Sequence, residues 1–370
     1  MKFKKMFLFI CISSACVMLY KYLKSDLYQT GQKELSFSLP EVNMVGETRK
    51  QAYRRIACMG PSYMLGWGSY YMRCRQLEFL GNAYFKDIQV EQMDYEQAIK
   101  TKEQYDAAIF IKSTPDLKWW PKLWKSFQEI YIDVLDGAMT SVNGLIDFKH
   151  LKTKAPRATL IVQNVYQEKL YNDSFRTIII EHMPASLNES DWVSTSSISH
   201  PLRAISCMEL QSASICVNIK TSLVILKCVE SIKERNLLES ELNVRYNDYS
   251  SKIWGVPWLH TQMYRKYDVV VVYTKKGVKM TINSVQRMTN AINSGVLTAI
   301  QLTGLHTLYV PKNYACGFTD NAELIKILEN LYQNSSLREE CQRQAKIINA
   351  PFSYARILNK YHKMLTSAAE

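Results

Sequence analysis

Short runs of apolar residues alternate with longer amphipathic stretches along most of this 370-residue chain. The runs at 106–111, 158–162 and 268–273 contain little polar alternation, and the last holds four consecutive valines. Such strands are typical of parallel sheets that helices cover on both faces. A chain of this length also suits two hydrophobic cores better than one. The pattern therefore predicts an α/β protein with two Rossmann-like lobes.

Predicted strands and helices divide into two series. The strands of the first series lie at 56–60, 106–111, 130–135, 158–162 and 177–180. Those of the second series lie at 215–219, 242–246, 268–273 and 296–301. Helices are predicted at 70–80, 223–234, 257–266, 282–293, 321–332, 338–348 and 354–365. We therefore expect an N-terminal lobe at 54–190, a C-terminal lobe at 191–350 and a closing helix at 351–370.

The first 24 residues have the pattern of a membrane-targeting segment. Lys2, Lys4 and Lys5 precede an uncharged, mostly apolar run at 6–20. As a helix this run would be roughly 22 Å long, which is short beside the roughly 30 Å hydrocarbon core of an average bilayer. Thinner early-secretory membranes reduce the mismatch. We expect residues 1–24 to form a cytosolic tip and a signal-anchor transmembrane helix.

The segment at 25–53 is polar and aperiodic, and we interpret it as a stem between membrane and body. A cleaved signal peptide is the alternative to an anchor, because Ser13-Ser14-Ala15 offers small residues near a plausible cleavage point. Three glycosylation sequons favour a lumenal body. Their acceptor residues are Asn172, Asn188 and Asn334. We expect a single-pass type II protein of the Golgi or endoplasmic reticulum membrane.

The nine cysteines show no metal-binding spacing. The sequence contains no CxxC pair and no His/Cys cluster with the spacing of zinc ligands, so we expect no metal and no cofactor. Cys11 and Cys16 lie in the apolar run. The other seven are an odd number, so at least one thiol is free or pairs between chains, and the sequence does not determine the connectivity.

The formal net charge of +12 is compatible with an anionic ligand. The Lys and Arg residues are spread along the chain, and no zinc finger, RRM signature or basic zipper region is present. We therefore expect a phosphate-bearing small molecule as the partner, and no nucleic acid.

The most basic strand end follows the valine run. Tyr273 ends that strand, and Lys275 and Lys279 follow it. Thr281 suits the N-cap of the next helix and Gly295 its end. A helix N-terminus offers free N–H groups and partial positive charge, so this segment predicts a diphosphate site. An ordinary solvated loop is the competing interpretation.

This segment resembles the C-terminal donor-binding region of GT-B glycosyltransferases, and the closing helices resemble theirs. The residues that carry the resemblance are Lys279, Gln286-Arg287, Asn290-Ala291 and Gly295-Val296. Met280 and Leu297 replace prolines of the family pattern, and the E-x7-E motif of many retaining members is missing. The resemblance covers roughly 100 residues well and the rest only by architecture.

The resemblance implies a glycosyltransferase that moves a sugar from a nucleotide-sugar donor to a glycan, protein or lipid acceptor without a bound metal. The donor-binding residues would be Tyr273, Lys275, Lys279, Asn283, Arg287, Asn290 and Gly295. An inactive relative that binds sugar nucleotides or glycans is the alternative, because the pattern is incomplete.

Transfer also needs a general base, and an acceptor site on the first lobe. His182 and Asp136 each follow a predicted apolar strand of that lobe and are our candidates for the base. Gly66, Trp67 and Gly68 follow the first strand, where Trp67 could stack on a sugar face. The competing interpretations are structural. His182 would then serve only as a hydrogen-bonding residue of the fold, and Gly66, Trp67 and Gly68 would form a tight turn.

Overall fold

The computed structural model describes residues 54–60, 70–101, 104–111, 127–134, 157–183, 198–207, 219–229, 264–274 and 285–367. All of them belong to one compact unit, Gln51–Glu370. The predicted anchor at 1–24 lies outside these residues, as does the predicted stem up to Tyr53. Among the described residues, no helix is both long and apolar enough to cross a bilayer.

The first sheet has six parallel strands in the order β2-β1-β3-β4-β5-β6. Its strands are β1 (Arg54–Gly60), β2 (Ile88–Asp94), β3 (Ala107–Ile111), β4 (Glu129–Asp133), β5 (Thr159–Val162) and β6 (Arg176–Ile179). Five of them confirm predicted strands. The sequence analysis missed β2, because this edge strand mixes buried with part-exposed residues and has no continuous apolar run.

Short helical segments connect these strands. They are two π-helical segments (Tyr71–Arg75 and Leu77–Gly81), α1 (Asn82–Tyr84), α2 (Tyr95–Thr101) and α3 (Val165–Tyr171). The predicted helix at 70–80 is therefore present, with π-helical hydrogen bonding. Asn164 caps α3, since its side chain accepts from the N–H groups of Tyr166 and Gln167.

The second sheet also has six strands, in the order β12-β11-β10-β7-β9-β8, and only β8 is antiparallel to its neighbour. Its strands are β7 (Leu202–Cys207), β8 (Ile219–Lys220), β9 (Val224–Val229), β10 (Val269–Val272), β11 (Leu297–Gln301) and β12 (Gly317–Phe318). The valine run forms β10, which is buried along its whole length between β7 and β11.

The predicted helix at 223–234 is wrong over Val224–Val229, which forms β9. This segment is rich in β-branched and apolar residues, and it pairs in register with β7 from Leu202 to Cys207. Pairing with a long-range partner therefore outweighed the weak local helix pattern.

Helices and 3₁₀ turns complete the second half of the chain. They are α4 (Gln286–Asn293), a 3₁₀ turn (Gly304–Leu308), α5 (Asn321–Gln333), α6 (Ser335–Asn349), a 3₁₀ turn (Ala350–Phe352) and α7 (Tyr354–Thr366). The α6 helix packs on β11 and α4, and α5 packs on β12 and β9. The three predicted closing helices are confirmed.

The last helix, α7, returns to the first sheet. Tyr131 of β4 donates its hydroxyl to the Met364 carbonyl, 3.2 Å away, and Arg54 of β1 donates to the Leu365 carbonyl. At the other end of the sheet, the Tyr361 hydroxyl accepts from Arg73 at 3.0 Å. The C-terminal helix therefore runs beside the first sheet from the carboxyl ends of its strands toward their amino ends.

A buried ion pair lies at this junction. Arg73 and Asp133 have fully buried side chains, and Arg73 Nε lies 3.1 Å from Asp133 Oδ2. The same guanidinium donates to the carbonyls of Ile180 and Glu181 and to Tyr361. A charge without access to water needs such partners, because desolvation would otherwise cost several kcal/mol. Arg73 thereby joins four segments of the chain.

Two disulfides, Cys58–Cys74 and Cys316–Cys341, join described cysteines. The first ties β1 to the helical segment that follows it, and the second ties the residue before β12 to α6. The sequence alone did not determine these pairs, because the partners meet only through the fold.

Replacing Arg73 with methionine should destabilise the protein by about 3–5 kcal/mol, because it leaves the buried Asp133 carboxylate without its cation. The double variant Arg73→Met/Asp133→Leu should lose less than the sum of the two single variants. Chemical denaturation of the full-length protein measures these differences. Arg343→Met is the control, since its ion pair with Glu340 is exposed on α6, and a loss as large as that of Arg73→Met would contradict the prediction.

Candidate functional site

Each sheet has one point where its strand order reverses. In the first sheet β1 lies between β2 and β3, and in the second sheet β7 lies between β9 and β10. Chain connections leave in opposite directions at such a point and open a crevice beyond the carboxyl ends of the strands, where ligands bind in open α/β sheets. The expected ligand sites are therefore the carboxyl ends of β1 and β3, and of β7 and β10.

Both predicted binding segments follow a strand at one of these points. Gly60 ends β1, and the predicted acceptor residues Gly66, Trp67 and Gly68 come after it in sequence. Those three residues lie outside the described part of the chain. Gly60 itself lies against the ring of Tyr70, where any Cβ would collide, so this strand end requires glycine.

The predicted donor segment follows β10. Tyr273 and Thr274 come directly after that strand, and α4 begins at Gln286. Lys275, Lys279 and Asn283, which lie between them, are outside the described residues.

The described helix α4 has Val285 at its N-cap position. Thr281, which the sequence analysis predicted as the cap, lies outside the described residues.

The α4 helix carries the remaining donor candidates. Arg287 lies in its first turn and is partly buried, and Asn290 is buried. Gly295 follows the helix with a φ of 74°, the left-handed conformation that favours glycine. The helix stop that the sequence predicted at Gly295 is therefore confirmed.

Tyr273 points into the second lobe. It is 7% exposed, its hydroxyl donates to Asn321 Oδ1 at 2.9 Å, and its ring contacts Phe318 edge-on. Burial raises the pKa of its hydroxyl. These contacts give Tyr273 the role of joining β10 to the start of α5.

A polar network joins the carboxyl ends of β10, β11 and β12, and its centre is Gln301. Gln301 Oε1 accepts from Thr274 twice, from the N–H at 3.0 Å and from the hydroxyl at 2.9 Å. Its Nε2 donates to the Thr319 carbonyl at 3.3 Å. The hydroxyls of Thr274 and Thr303 are 2.5 Å apart. We call Thr274, Gln301, Thr303 and Thr319 the polar rim.

His306 lies in the 3₁₀ turn beneath this rim. It is 6% exposed, and its Nδ1 is 3.0 Å from the Gln301 carbonyl oxygen. Burial is the main cause that lowers the pKa of His306 to about 4; the hydrogen bond to that carbonyl opposes it, and the positive charge of Arg287 makes a smaller contribution in the same direction as burial. The imidazole is therefore neutral at physiological pH.

At the first sheet, the structure brings His182 to the carboxyl end of β6, where it is buried. Its neighbour Glu181 pairs with Lys360 of α7, with Oε2 2.5 Å from Nζ. Asp136, the second candidate base, lies outside the described residues. Asp133, three residues earlier, is held by Arg73 and is not available as a base.

Sequence reasoning missed Arg73, Gln301 and His306. Gln301 had one usable signal, since it is a polar residue at the end of an otherwise apolar strand. Arg73 and His306 had none, because their partners are distant in sequence or belong to the main chain. Among the described residues, no group of three His, Cys, Asp or Glu side chains lies close enough together to hold a metal ion.

Two of the three sequon asparagines are described, and both are exposed at helix ends. Asn172 is the C-cap of α3, and Asn334 is the N-cap of α6, where its Oδ1 accepts from Leu337 N at 3.1 Å. Asn188 lies outside the described residues.

No protein-family model and no curated protein matches this chain. Solved structures do match. HepE of Anabaena, in complex with UDP and glucose, has a TM-score of 0.54 at 12% identity, covering 85% of this chain and 100% of its own. A variant of T4 phage BGT in complex with UDP-glucose has a TM-score of 0.54 at 11% identity, covering 84% and 99%. The GT-B fold is confirmed.

A third GT-B structure is an alpha-glucosyltransferase in complex with UDP-glucose and DNA containing an abasic site. It has a TM-score of 0.56 at 10% identity and covers 85% of this chain and 100% of its own. This neighbour gives no support to the sequence-based expectation that nucleic acid is no partner.

Replacing His306 should change how stability depends on pH. Its pKa is about 6.5 in an unfolded chain and about 4 in the fold, so the unfolded chain binds the proton more strongly. The stability linked to neutral His306 is complete above about pH 6.5 and is lost as pH falls toward about 4. Between about pH 6.5 and about pH 4, the unfolding free energy of His306→Gln should therefore fall less steeply than that of the wild type. The difference in slope should be up to about 1.4 kcal/mol per pH unit.

Denaturation at a series of pH values measures this slope. Thr307→Val, on the same 3₁₀ turn, adds and removes no titrating group and should keep the wild-type slope. The same slope in His306→Gln as in the wild type would contradict a buried, neutral histidine.

Proposed function

We propose that this protein transfers a sugar from a nucleotide-sugar donor to an acceptor hydroxyl. The observation that carries the proposal is the second sheet's carboxyl edge, where the polar rim joins the ends of β10 and β11 and the helix that carries Arg287 follows β10, a strand at the switch point of a GT-B fold. A crevice with neutral hydrogen-bonding groups and a cation suits a sugar diphosphate. The complexes of HepE with UDP and glucose and of BGT with UDP-glucose support this choice of ligand.

In the proposed reaction the acceptor oxygen attacks the anomeric carbon of the donor sugar. The bond from that carbon to the phosphate oxygen breaks, and the nucleoside diphosphate leaves with the electron pair. Arg287, Lys275 and Lys279 would stabilise the negative charge that develops on it, as would the N–H groups at the start of α4. This arrangement needs no bound metal. Tyr273, Asn283, Asn290 and Gly295 would shape the donor site around these groups.

A base at the first sheet would take the acceptor proton. We retain His182 and Asp136 for this role, with Gly66, Trp67 and Gly68 as the acceptor-binding loop. His182 has the advantage that it follows β6 at the carboxyl edge of the first sheet. We favour a glycan, protein or lipid as acceptor, and the DNA in one structure of this fold makes DNA the necessary comparison.

We further propose that the body is lumenal and that residues 1–24 anchor it as a type II membrane protein of the Golgi or endoplasmic reticulum. Two features support an oxidising compartment. One is the pair of disulfides, since such bonds persist mainly in secreted and lumenal proteins. The other is the exposure of Asn172 and Asn334 at helix ends, where a glycan would meet no packing obstacle.

The donor is tested with the purified full-length protein and a panel of UDP-, GDP- and ADP-sugars. A donor at about 100 times its dissociation constant should add about 2.7 kcal/mol to the free energy of unfolding. Arg287→Gln should weaken this stabilisation and slow release of the nucleotide, whereas Arg343→Gln on the exposed side of α6 should change neither. If no nucleotide sugar stabilises the protein, the proposal is wrong.

With a donor that does bind, glycans, lipids and DNA are compared as acceptors of its labelled sugar.

Glycosylation tests the compartment in cells. Ser174→Ala and Ser336→Ala each destroy one sequon and leave the asparagine side chains at the helix ends intact, including the cap that Asn334 forms. Each variant should lose the mass of one N-glycan on a gel, and glycosidase treatment should make all forms equal. Thr307→Ala, which removes an exposed hydroxyl outside any sequon, should leave the mass unchanged. A body that carries no glycan in any form would argue against the lumenal assignment of these sites.

A further inference from the structure

The hydrogen atoms of the polar rim have one fixed order, because the rim is bounded by main-chain groups. The Thr274 N–H can only donate and the Thr319 carbonyl can only accept, so the Gln301 amide between them has a single orientation. Its Oε1 faces Thr274 and also accepts the Thr274 hydroxyl, at 2.9 Å. The one hydrogen of that hydroxyl is therefore used on Gln301.

This order determines the role of the Thr303 hydroxyl. It lies 2.5 Å from the Thr274 hydroxyl, and one of the two must donate. Because Thr274 has given its hydrogen to Gln301, Thr303 is the donor. A hydroxyl has one hydrogen and two lone pairs, so the Thr303 oxygen can only accept from any further group.

The described part of the chain does not use these lone pairs. Thr303 is the N-cap residue of the 3₁₀ turn Gly304–Leu308, where a threonine oxygen commonly accepts a main-chain N–H, but its side chain makes no cap hydrogen bond. Among the described residues, its hydroxyl is bonded to the Thr274 hydroxyl alone. Thr303 is only half-buried, so a ligand at the carboxyl edge can approach it.

The end of β12 has the same polarity. The N–H and the hydroxyl of Thr319 each lie 2.7 Å from Glu323 Oε2, and a carboxylate can only accept, so the hydroxyl hydrogen points at Glu323. Asp320, the exposed N-cap of α5, adds a second carboxylate. The β11–β12 side of the edge therefore presents lone pairs and negative charge, whereas Arg287 belongs to α4, the helix between β10 and β11 in sequence.

The two parts of a sugar nucleotide respond to this polarity in opposite ways. Phosphate oxygens carry negative charge and only accept, so the threonine hydroxyls have no hydrogen for them and the carboxylates repel them. Ribose and sugar hydroxyls can donate.

We propose that Thr303 is a specificity-determining residue of the donor site, which accepts a hydrogen bond from a hydroxyl of the ligand. The diphosphate then lies on the α4 side of the crevice and the hydroxyl on the β11–β12 side. This assignment rests on the proposed function and deepens it.

Substitutions of Thr303 separate this role from a structural one. Thr303→Ser keeps the hydroxyl in the rim, whereas Thr303→Val keeps the shape of the side chain and loses the oxygen. Thr303→Ala repeats the loss with a smaller side chain, in case the valine variant does not fold. Thr307→Val is the matched control, since it removes an exposed hydroxyl of the same 3₁₀ turn, one that donates to the Gly304 carbonyl.

The measurement is the affinity of the full-length protein for a nucleotide sugar that binds the wild type, and for its nucleoside diphosphate alone. Thr303→Val should weaken binding of the nucleotide sugar about tenfold, equivalent to about 1.4 kcal/mol. Thr303→Ser and Thr307→Val should bind within about threefold of the wild type. An equal loss for the nucleoside diphosphate assigns the hydroxyl to the ribose, and no loss assigns it to the sugar.

Ligand analogues test which group donates. In a series of analogues, one hydroxyl at a time is replaced by hydrogen or by fluorine, neither of which can donate. For the hydroxyl that Thr303 accepts, both replacements should weaken binding to the wild type about tenfold and should not affect binding to Thr303→Val. A fluorine analogue that loses nothing at any position would mean that Thr303 accepts no ligand hydroxyl, and would overturn the inference.

Two further results concern the inference and the proposed function separately. If the wild type binds a nucleotide sugar and Thr303→Val binds it equally well, or loses the same factor for every analogue, the inference alone is wrong. If the wild type binds no nucleotide sugar, the proposed function is wrong and the inference falls with it.

Discussion

The buried ion pair between Arg73 and Asp133 holds together the junction of the first sheet with the last helix, next in sequence to the candidate base His182. Both side chains are fully buried, and the guanidinium, which belongs to the helical segment after β1, bonds two segments besides β4: the chain after β6, and α7. An unmatched charge here would be costly, so these segments have to meet in one arrangement. The C-terminal helix is thereby bound to the first sheet, although the helices just before it pack on the second.

The two sheets use polar groups in opposite ways at their carboxyl edges. At the first sheet the ionisable groups are paired, Arg73 with Asp133 and Glu181 with Lys360. At the second sheet the polar rim is made of neutral hydroxyls and an amide, and His306 is kept neutral by burial. Paired charges stabilise a junction, whereas neutral hydrogen-bonding groups do not offset the positive charge of a residue such as Arg287. This difference is why we assign the anionic donor to the second sheet.

Much of the fold could be predicted because its signals are local. The valine run predicted β10, and the apolar periodicity of the last three helices predicted their positions to within a few residues. Predictions failed where a distant partner decided the outcome: Val224–Val229 became a strand through its pairing with β7, and β2 joined the sheet edge without an apolar run. The donor segment was located by its charges, but the residues that hold its surroundings, Gln301 and His306, were not.

The sequence by itself determined the α/β class, the resemblance to GT-B enzymes, the glycine stop after α4 and the sequons, because each depends on neighbouring residues. Tertiary structure alone decided the disulfide partners, the burial of Arg73 against Asp133 and the protonation of His306. Those properties depend on how far a side chain is desolvated by burial and on which groups the fold brings next to it. Neighbouring residues in the sequence determine neither. For His306 the same composition and spacing would be compatible with a charged surface histidine, and only its burial in the fold makes it neutral.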